Sequence, residues 1–521
     1  MGCLLESLRV VLVKPSKYAT DGSVERFRRG FMPNSTLPYL ASLTPERVEE
    51  VPCEVHAIDE YVETDLDYLE LFAPPPGGRT LVALVGVQSH QFHRALDLAA
   101  LARSRGAQAV IGGPHPMTCD TSPLEGRGVS FAFSEAETIW PKILADAWHG
   151  DLAPTYGGDR RWTARLDPPV LKPPSRRTLA RYAVPMLGVY PARGCPYSCN
   201  FCSVIKIAGH EVRGQPIETT LASLRAARRA GVRLVFFTSD NFNKIPEASE
   251  LVDAIAAERD RIPFFVQCDA QVYRQPELIE RMARAGCFQI FVGAESFNTA
   301  TLAAAHKFHN TPEKYAEIVR LCRENGITSH FSNILGFPED TEKGIDEHLE
   351  TLRALDPDVA SFYILTPIPG TEQYADFHQR GLLIDENLDR FDGSATTWRH
   401  PHLAGADLIR LLFSCYRRFY SAGGTARRVV RVSRFPRDFR WTASWTAVAG
   451  YAAQSRAAVS RGRHPMAGGF FRVRRDRRED YRELRRRTYG LDLAPLPAAR
   501  ELSAADQEIN RTAKLRSAVS R

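Results

Sequence analysis

The chain has 521 residues, of which 44% are hydrophobic and 25% charged, a balance that excludes an intrinsically disordered protein. Its length suggests about three domains. No run approaches the ~20 apolar residues of a membrane span, and the nearest one, Trp441–Ser455, is predicted to be a buried helix. The formal charge of +7 is modest, so nucleic acid is not an expected partner.

The cysteines are distributed unevenly along the chain. Three of the ten lie within residues 195–202 and the others are scattered singly, which argues against a disulfide framework. This distribution fits a reducing compartment and one metal site. The N-terminal segment lacks a basic start and runs into the strand-like LRVVLVKP, so we expect a cytoplasmic protein.

Residues 1–150 alternate apolar strand patterns with helical patterns. Continuous apolar strands separated by helices predict an α/β fold with a doubly wound, flavodoxin-like parallel sheet. Ligands of such sheets bind at the carboxyl ends of the strands, where the turn Gly112-Gly113-Pro114 stands. The predicted strands are Leu8–Val13, Cys53–Ile58, Leu81–Val87, Ala107–Ile111 and Val129–Phe133, and the clearest helices are Gln91–Ser104 and Ala136–Trp148.

The rest of the chain divides into three parts. Residues 151–182 are rich in Pro, Gly and Arg and are predicted to form a linker. Residues 183–400 contain six βα units, which predict a partial (β/α)6 barrel with its site at the strand carboxyl ends. Residues 401–521 are predicted to be mainly helical and basic, and we interpret the run Arg472–Arg487 as a solvated helix face. The predicted barrel strands are Met186–Ala192, Leu234–Thr238, Phe264–Cys268, Phe288–Val292, His330–Leu335 and Ala360–Leu365.

The segment PARGCPYSCNFCSV follows the first barrel strand and contains Cys195, Cys199 and Cys202. These spacings let one loop wrap an iron–sulfur cluster, with each thiolate reaching a different iron. Three cysteines leave one iron open, and an open metal position favours chemistry over a purely structural role. The alternative is a zinc site completed by a distant side chain such as His210.

The Cys195-x3-Cys199-x2-Cys202 spacing, with an aromatic residue before the last cysteine, resembles the signature of the radical S-adenosylmethionine (SAM) superfamily. The resemblance implies a [4Fe-4S] cluster whose fourth iron binds SAM. It further implies that one electron from the cluster cleaves SAM to a 5′-deoxyadenosyl radical, which abstracts hydrogen from a substrate.

Three further segments, FFTSDNFN, FVGAESFN and HFSNILGFPEDT, resemble the SAM-contacting strand ends of that superfamily in order and spacing. Taken alone, Glu295 is equally explained as an ion-pair partner and Asp240 as a helix cap. The resemblance implies SAM contacts at Phe201, Ser239, Asp240, Asn241, Glu295, Ser296 and Gly336.

A doubly wound domain ahead of such a barrel resembles the cobalamin-binding branch of the superfamily. The matching stretches include LVALVGVQSHQFHRALDLAALARSRGAQAVIGGPHP and FAFSEAETIW. The loop KPSKYATDG contains no histidine, so the resemblance implies a cobalt lower face without the usual imidazole. The alternative is a domain that has lost the cofactor and serves as a lid. The implied cobalamin contacts are Ser89, Gly112, Gly113, Pro114 and Glu135.

The resemblance implies a cobalamin-dependent methyltransferase that transfers a methyl group from methylcobalamin to a radical-activated carbon of a small metabolite or natural-product intermediate. It also implies an electron donor such as flavodoxin or ferredoxin. The alternatives are a cobalamin-binding cyclase or oxidoreductase, a methylthiotransferase with a second cluster at Cys3, Cys53 and Cys119, and a non-catalytic iron–sulfur or cobalamin sensor.

Overall fold

A computed structural model of the chain describes residues 6–158, 160–465 and 468–519. The first part is an α/β unit. In chain order its elements are β1 (Leu8–Lys14), β2 (Arg26–Gly30), α1 (Thr36–Leu43), β3 (Arg47–Val48), β4 (Val51–Asp59), α2 (Tyr68–Phe72), β5 (Arg79–Leu84), α3 (Phe92–Ser104), β6 (Gln108–Gly112), α4 (Pro114–Thr118), β7 (Ser130–Ala132), α5 (Ala136–His149) and β8 (Thr155–Tyr156).

The first sheet has the strand order β3-β4-β1-β5-β6-β7-β8, and all its pairs are parallel except β3 with β4. Alternate residues of β1 enter two cores: Val11 and Val13 pack with α3, whereas Val10 and Leu12 pack with α1 and α5. Helices on both faces explain why the central strands β1 and β5 are mostly apolar. The predicted doubly wound sheet is confirmed.

The segment predicted as a linker contributes to this sheet. Thr155–Tyr156 pairs in parallel with β7 and forms the edge strand β8. The sequence pattern did not predict this strand, because a strand of two residues is too short to show a periodicity. The boundaries at residues 150 and 182 stay predictions.

The second part is a partial barrel. Its elements are α6 (Arg176–Leu179), β9 (Met186–Val189), β10 (Ala192–Arg193), α7 (Val204–Ile207), β11 (Arg213–Gly214), α8 (Ile217–Ala230), β12 (Leu234–Phe237), α9 (Ala248–Ala257), β13 (Phe264–Cys268), α10 (Pro276–Ala285), β14 (Cys287–Glu295), α11 (Thr299–Ala304), α12 (Tyr315–Glu324), β15 (Thr328–Leu335), α13 (Glu342–Leu355), β16 (Val359–Ile364) and α14 (Glu372–Gln379).

Six parallel strands form the barrel sheet in the order β16-β15-β14-β13-β12-β9. Each strand pairs with its neighbour in sequence, which is the arrangement that right-handed βα units generate. All carboxyl ends therefore meet at one rim, as the six predicted βα units require.

The C-terminal part is formed by α15 (Gly405–Phe419), α16 (Ala422–Ser433), α17 (Trp441–Val459), β17 (Gly469–Val473), α18 (Arg482–Tyr489) and α19 (Ala504–Val519). The predicted helix at Trp441–Ser455 is present as part of α17. No helix among the described residues has both the length and the apolar character needed to cross a bilayer.

The C-terminal part is mainly helical, as predicted, and its one described strand, β17, pairs antiparallel with β2. One feature corrects the sequence interpretation. The arginine run is not a solvated helix face throughout: Arg485 is 2% exposed and forms an ion pair with the buried Asp97 at 2.7 Å. Burying a guanidinium requires a specific partner. Arg485 of this run therefore links the C-terminal part to helix α3.

Candidate functional site

The three motif cysteines lie on a loop that is closed at its base. Strands β10 and β11 pair antiparallel and bring the two ends of residues 194–212 together, just beyond the carboxyl end of β9. Cys195, Cys199 and Cys202 are half-buried and form no disulfide. The loop thus presents three free thiols at the barrel rim, where the sequence predicted them.

Backbone contacts hold the loop in a tight path. Gly194 has φ +108°, and a Cβ there would lie 2.0 Å from the Glu211 carbonyl oxygen, so only glycine fits. The Cys195 N–H donates to the Gly209 carbonyl at 3.1 Å, and the Cys202 N–H donates to the Cys199 carbonyl at 3.2 Å. These bonds fix the spacing of the thiols.

The environment of the thiols fits an iron–sulfur cluster. Asn241 Nδ2 donates to Cys195 Sγ at 3.0 Å, a contact that favours negative charge on sulfur. Burial raises the pKa of all three thiols, to about 12 for Cys202, so metal binding must displace their protons. Within the described residues no three His, Cys, Asp or Glu side chains lie close enough together to hold a single metal ion. A cluster requires only that each thiolate reach its own iron.

The segment after β12 lies beside this loop. Asp240 Oδ2 accepts a hydrogen bond from the Gly194 N–H at 3.2 Å, and burial raises the pKa of its carboxyl group to about 6. Ser239 is 2% exposed, and its Oγ has no hydrogen-bond partner among the described residues. A buried hydroxyl without a partner costs free energy, so it is a fitting contact for a bound polar group.

Glu295 and Ser296 lie at the carboxyl end of β14, where the register with β15 shifts. Glu295 has φ +63°, an uncommon conformation for a residue other than glycine. Its Oε1 accepts from Lys307 Nζ at 2.9 Å, and Ser296 Oγ accepts from the Asn298 N–H at 3.0 Å. Sequence reasoning missed Lys307, because a lone lysine in HKFHN belongs to no recognisable pattern.

Phe201 is half-buried, 6.1 Å from the Phe337 ring between centroids, and Lys307 Nζ lies 5.8 Å from its ring centre. Gly336 has φ +84° and packs against Leu408, whose Cδ2 would lie 2.9 Å from an added Cβ. These predicted contacts therefore border the same rim. Their roles toward SAM stay predictions.

A cavity of about 290 Å³ opens beside the first sheet, between α1, α5 and the strand ends. Gly112, Gly113 and Pro114 line it, as do Arg193 and Asp240 from the cysteine-loop side. At Gly113, with φ +133°, a Cβ would lie 2.2 Å from the Val87 nitrogen, so no other residue fits without displacing backbone. One cavity thus joins the predicted cobalamin contacts to the barrel rim.

The two remaining predicted cobalamin contacts have other partners. Ser89 is buried, with its Oγ 3.0 Å from His115 Nδ1. Glu135 lines the cavity, but its carboxylate accepts two hydrogen bonds from Arg213, at 2.8 and 2.9 Å. A direct cobalamin contact by either residue stays a prediction.

A second cavity, of about 430 Å³, lies between the first sheet and the barrel. Lys14, Asp59 and His90 line it from the carboxyl ends of the first sheet's strands and the loops that follow, while Phe236 and Tyr363 line it from the barrel. Burial lowers the pKa of His90 to about 3, so its imidazole is neutral. The cavity offers aromatic walls and polar groups to a bound molecule.

The cysteines considered for a second cluster do not form one common surface. Cys53 lies near the start of β4, at the amino edge of the sheet, whereas Cys119 is buried beyond the carboxyl end of β6. Cys3 lies outside the described residues.

Comparison with known proteins agrees with this geometry. The family model of the radical SAM superfamily matches residues 189–352. The bacteriochlorophyllide d C-8(2)-methyltransferase of Chlorobaculum tepidum is 24% identical over 373 residues, which cover 68% of this chain and 78% of that protein. The hopanoid C-2 methylase of Rhodopseudomonas palustris is 29% identical over 38% of each chain.

Solved structures extend the likeness beyond the barrel. The radical SAM methyltransferase TsrM from Kitasatospora setae, with cobalamin and a [4Fe-4S] cluster bound, superposes with a TM-score of 0.62 at 16% identity and covers 87% of this chain and 100% of that one. The cobalamin-dependent radical enzyme OxsB gives a TM-score of 0.56 at 13% identity, over 87% and 72%. Residues 189–352 therefore match the radical SAM superfamily, and the chain has the fold of the cobalamin-dependent enzymes TsrM and OxsB.

Proposed function

We propose that this protein is a cobalamin-dependent radical SAM methyltransferase that methylates a carbon of a small molecule. The observation that carries the proposal is the shared cavity, in which Gly113 and Arg193 face one space of about 290 Å³. Arg193 directly precedes the cysteine loop, so a cofactor in that cavity would lie beside a cluster on the loop. Two cofactors that must act on one substrate atom need such proximity.

The cysteine loop is suited to hold a [4Fe-4S] cluster through Cys195, Cys199 and Cys202. When bound, the cluster with SAM supplies a carbon-centred radical, and cobalamin supplies a transferable methyl group. The chain's own part is to bind, orient and exclude water. Partial burial of the three thiols serves the last of these tasks, because it limits the access of water to the reactive centre.

For SAM, the rim offers charges of both signs. The Lys307 ammonium, only 8% exposed, is suited to the carboxylate of the methionyl group, and Asp240 to its ammonium. The unpartnered Ser239 hydroxyl and the ring of Phe201 lie along the same rim. These assignments follow the predicted SAM contacts and add Lys307 to them.

For cobalamin, the first cavity offers small and apolar residues from the first sheet and its helices. Gly112 and Ala132 present little side-chain volume, and Trp140 and Ile143 supply apolar walls. Such a space suits the flat nucleotide tail of the cofactor. The second cavity, with Phe236, is then the place for the substrate, whose volume must be that of a small molecule.

An external one-electron donor such as flavodoxin or ferredoxin completes the proposal, since the described side chains contain no source of electrons. A reducing compartment, hence the cytoplasm, would keep the three thiols available for the cluster.

The test is anaerobic reconstitution of the full chain with iron, sulfide and hydroxocobalamin, followed by incubation with methyl-labelled SAM and a chemical reductant. We expect about four irons and one cobalamin per chain, 5′-deoxyadenosine in the medium, and label recovered in the cobalamin fraction. Release of 5′-deoxyadenosine without any transfer of label would favour a cyclase or oxidoreductase, and absence of both would favour a sensor.

A further inference from the structure

We infer that Glu135 is a positioning residue that couples the cobalamin cavity to the cluster loop, through ion pairs with Arg193 and Arg213. The inference rests on the proposed function and concerns how its two cofactor sites communicate. It assigns Glu135 to the protein's own arginines instead of to cobalamin.

The first contact is bidentate. Arg213 Nη1 donates to Glu135 Oε2 at 2.8 Å and Arg213 Nη2 donates to Oε1 at 2.9 Å. Both side chains are about 5% exposed or less. Arg213 belongs to β11, the strand that closes the cysteine loop. It also donates to the Ala208 carbonyl at 2.8 Å, inside that loop, so its guanidinium connects loop and helix α5 directly.

The second contact involves the other strand of the hairpin. Arg193 Nη1 lies 3.3 Å from Glu135 Oε1, and its Nη2 lies 2.9 Å from Glu137 Oε1. The same guanidinium packs over the ring of Tyr39 of α1, 5.0 Å from its centre. Only Gly194 separates Arg193 from the first predicted cluster ligand, Cys195. A shift of Cys195 would therefore be transmitted through Arg193 to both α1 and α5.

The Glu135 carboxylate has no capacity left for another ligand. A carboxylate accepts about four hydrogen bonds, and the two arginines already occupy Oε1 and part of Oε2. Thr163 donates the rest to Oε2, from its N–H at 2.7 Å and from its hydroxyl at 2.9 Å. Although burial opposes ionisation, the hydrogen bonds from Arg213 and the charge of Arg193 outweigh it and lower the pKa of Glu135. The group is thus a charged, saturated anchor.

The same residues form a wall of the cobalamin cavity. Glu135, Glu137 and Arg193 all line it, as Gly113 does. A cluster that orders the cysteine loop thereby fixes one wall of the cavity before cobalamin enters. Since a bound state that is already ordered costs less to occupy, the cluster is expected to raise cobalamin affinity, and cobalamin must favour the ordered loop to the same degree.

The experiment compares hydroxocobalamin affinity, read from its absorbance spectrum, in the full chain with and without a reconstituted cluster. In the natural sequence we expect about tenfold tighter binding when the cluster is present, within the range of measured couplings between sites. In Glu135→Gln the ratio of the two affinities falls close to one. Glu60→Gln is the matched control, because Glu60 is also buried between two arginines, Arg26 and Arg94, yet does not contact the cysteine loop; it should keep the ratio.

Arg213→Lys provides a second variant, since lysine retains the charge but loses the bidentate geometry. Arg213→Lys should also lower the ratio of the two cobalamin affinities. In the natural sequence, cobalamin should alter the electron paramagnetic resonance spectrum of the reduced cluster; in this variant it should not. An unchanged ratio in both variants would overturn the inference. If the cluster did not change cobalamin affinity in the natural sequence, the inference would also be overturned, but the proposed function would remain. If the protein did not bind cobalamin at all, both the inference and the proposed function would be wrong.

Discussion

The cysteine loop and the cobalamin cavity are built by opposite means. The loop is held by directed polar contacts, such as Asn241 Nδ2 to Cys195 Sγ at 3.0 Å and the Gly194 N–H to Asp240 at 3.2 Å. The cavity is bordered by Gly112 and Gly113, and the backbone of Gly113 packs so closely on Val87 that an added Cβ would lie 2.2 Å from its nitrogen. A site that binds through ligands requires particular donor atoms, whereas a cavity requires only that the backbone around it leave room. The two should therefore fail in different ways when mutated.

The largest effect is expected for loss of a thiol. Cys199→Ala should reduce the iron content after anaerobic reconstitution from about four per chain to well below it, and abolish reductive SAM cleavage, because two thiolates cannot hold the cluster. Iron analysis and the yield of 5′-deoxyadenosine measure both effects.

Cys53→Ala is the matched control for that experiment. Cys53 is a free, half-buried cysteine in β4, remote from the loop, so its loss should leave the iron content unchanged. Full iron content in Cys199→Ala, or loss of iron in Cys53→Ala, would refute the assignment of the cluster ligands.

A substitution in the backbone that borders the cavity is expected to lower stability and not to remove a ligand. Gly113→Ala should lower the free energy of unfolding by about 3–6 kcal/mol, since it adds strain at φ +133° to a collision with the Val87 nitrogen. Gly126→Ala is the control: Gly126 also has positive φ, at +72°, but a Cβ there meets nothing within 4 Å, so only the strain of about 1 kcal/mol remains. Thermal unfolding monitored by circular dichroism separates the two, and equal losses would show that shape at Gly113 is unimportant.

The difference between ligands and space also explains what the sequence could predict. The barrel strands were predictable because buried parallel strands are apolar runs bounded by polar turns; Phe264–Cys268 has the predicted bounds. The motif cysteines were predictable because cluster chemistry restricts both residue type and spacing. The glycines at 112 and 113 were predictable as a turn, and their collisions became visible only in three dimensions.

Contacts between residues that are distant in the sequence were not predictable. A cobalamin contact by Glu135 stays a prediction, whereas the hydrogen bonds that Arg213 and Thr163 donate to its oxygens were not predicted. Lys307 reaches Glu295 from a loop with no periodic pattern. Strand β17 pairs with β2 although the two lie near opposite ends of the chain, and neither shows an alternating pattern on its own. A single sequence contains these residues but does not show which of them are in contact.

The arginines of α18 extend the comparison to charge. Arg485→Ala should cost about 3–5 kcal/mol, because it leaves the buried carboxylate of Asp97 without its ion-pair partner. Its neighbour Arg486 is half-exposed and pairs with Asp492 at the surface, so Arg486→Ala should cost less than about 1 kcal/mol. Denaturant midpoints measure the difference, and similar costs would restore the interpretation of this run as a solvated helix face.

The smallest effect concerns two adjacent carboxyl groups at the carboxyl end of β4, those of Asp59 and Glu60. Burial raises the pKa of Asp59 to about 6, whereas for Glu60 the charges of Arg94 and Arg26 outweigh burial and lower the pKa to about 2. Folding therefore favours the protonated form of Asp59, and the natural protein loses stability as pH rises from about 4 to about 6. Asp59→Asn removes this loss, so relative to the natural sequence it should gain about 2 kcal/mol between pH 4 and pH 7. Glu60→Gln should show a constant difference from pH 5 to pH 7, because Glu60 is ionised there in both the folded and the unfolded chain. Thermal midpoints across this range test the sign, and a pH-independent Asp59→Asn difference would mean that the carboxyl group at the second cavity is already ionised below pH 4.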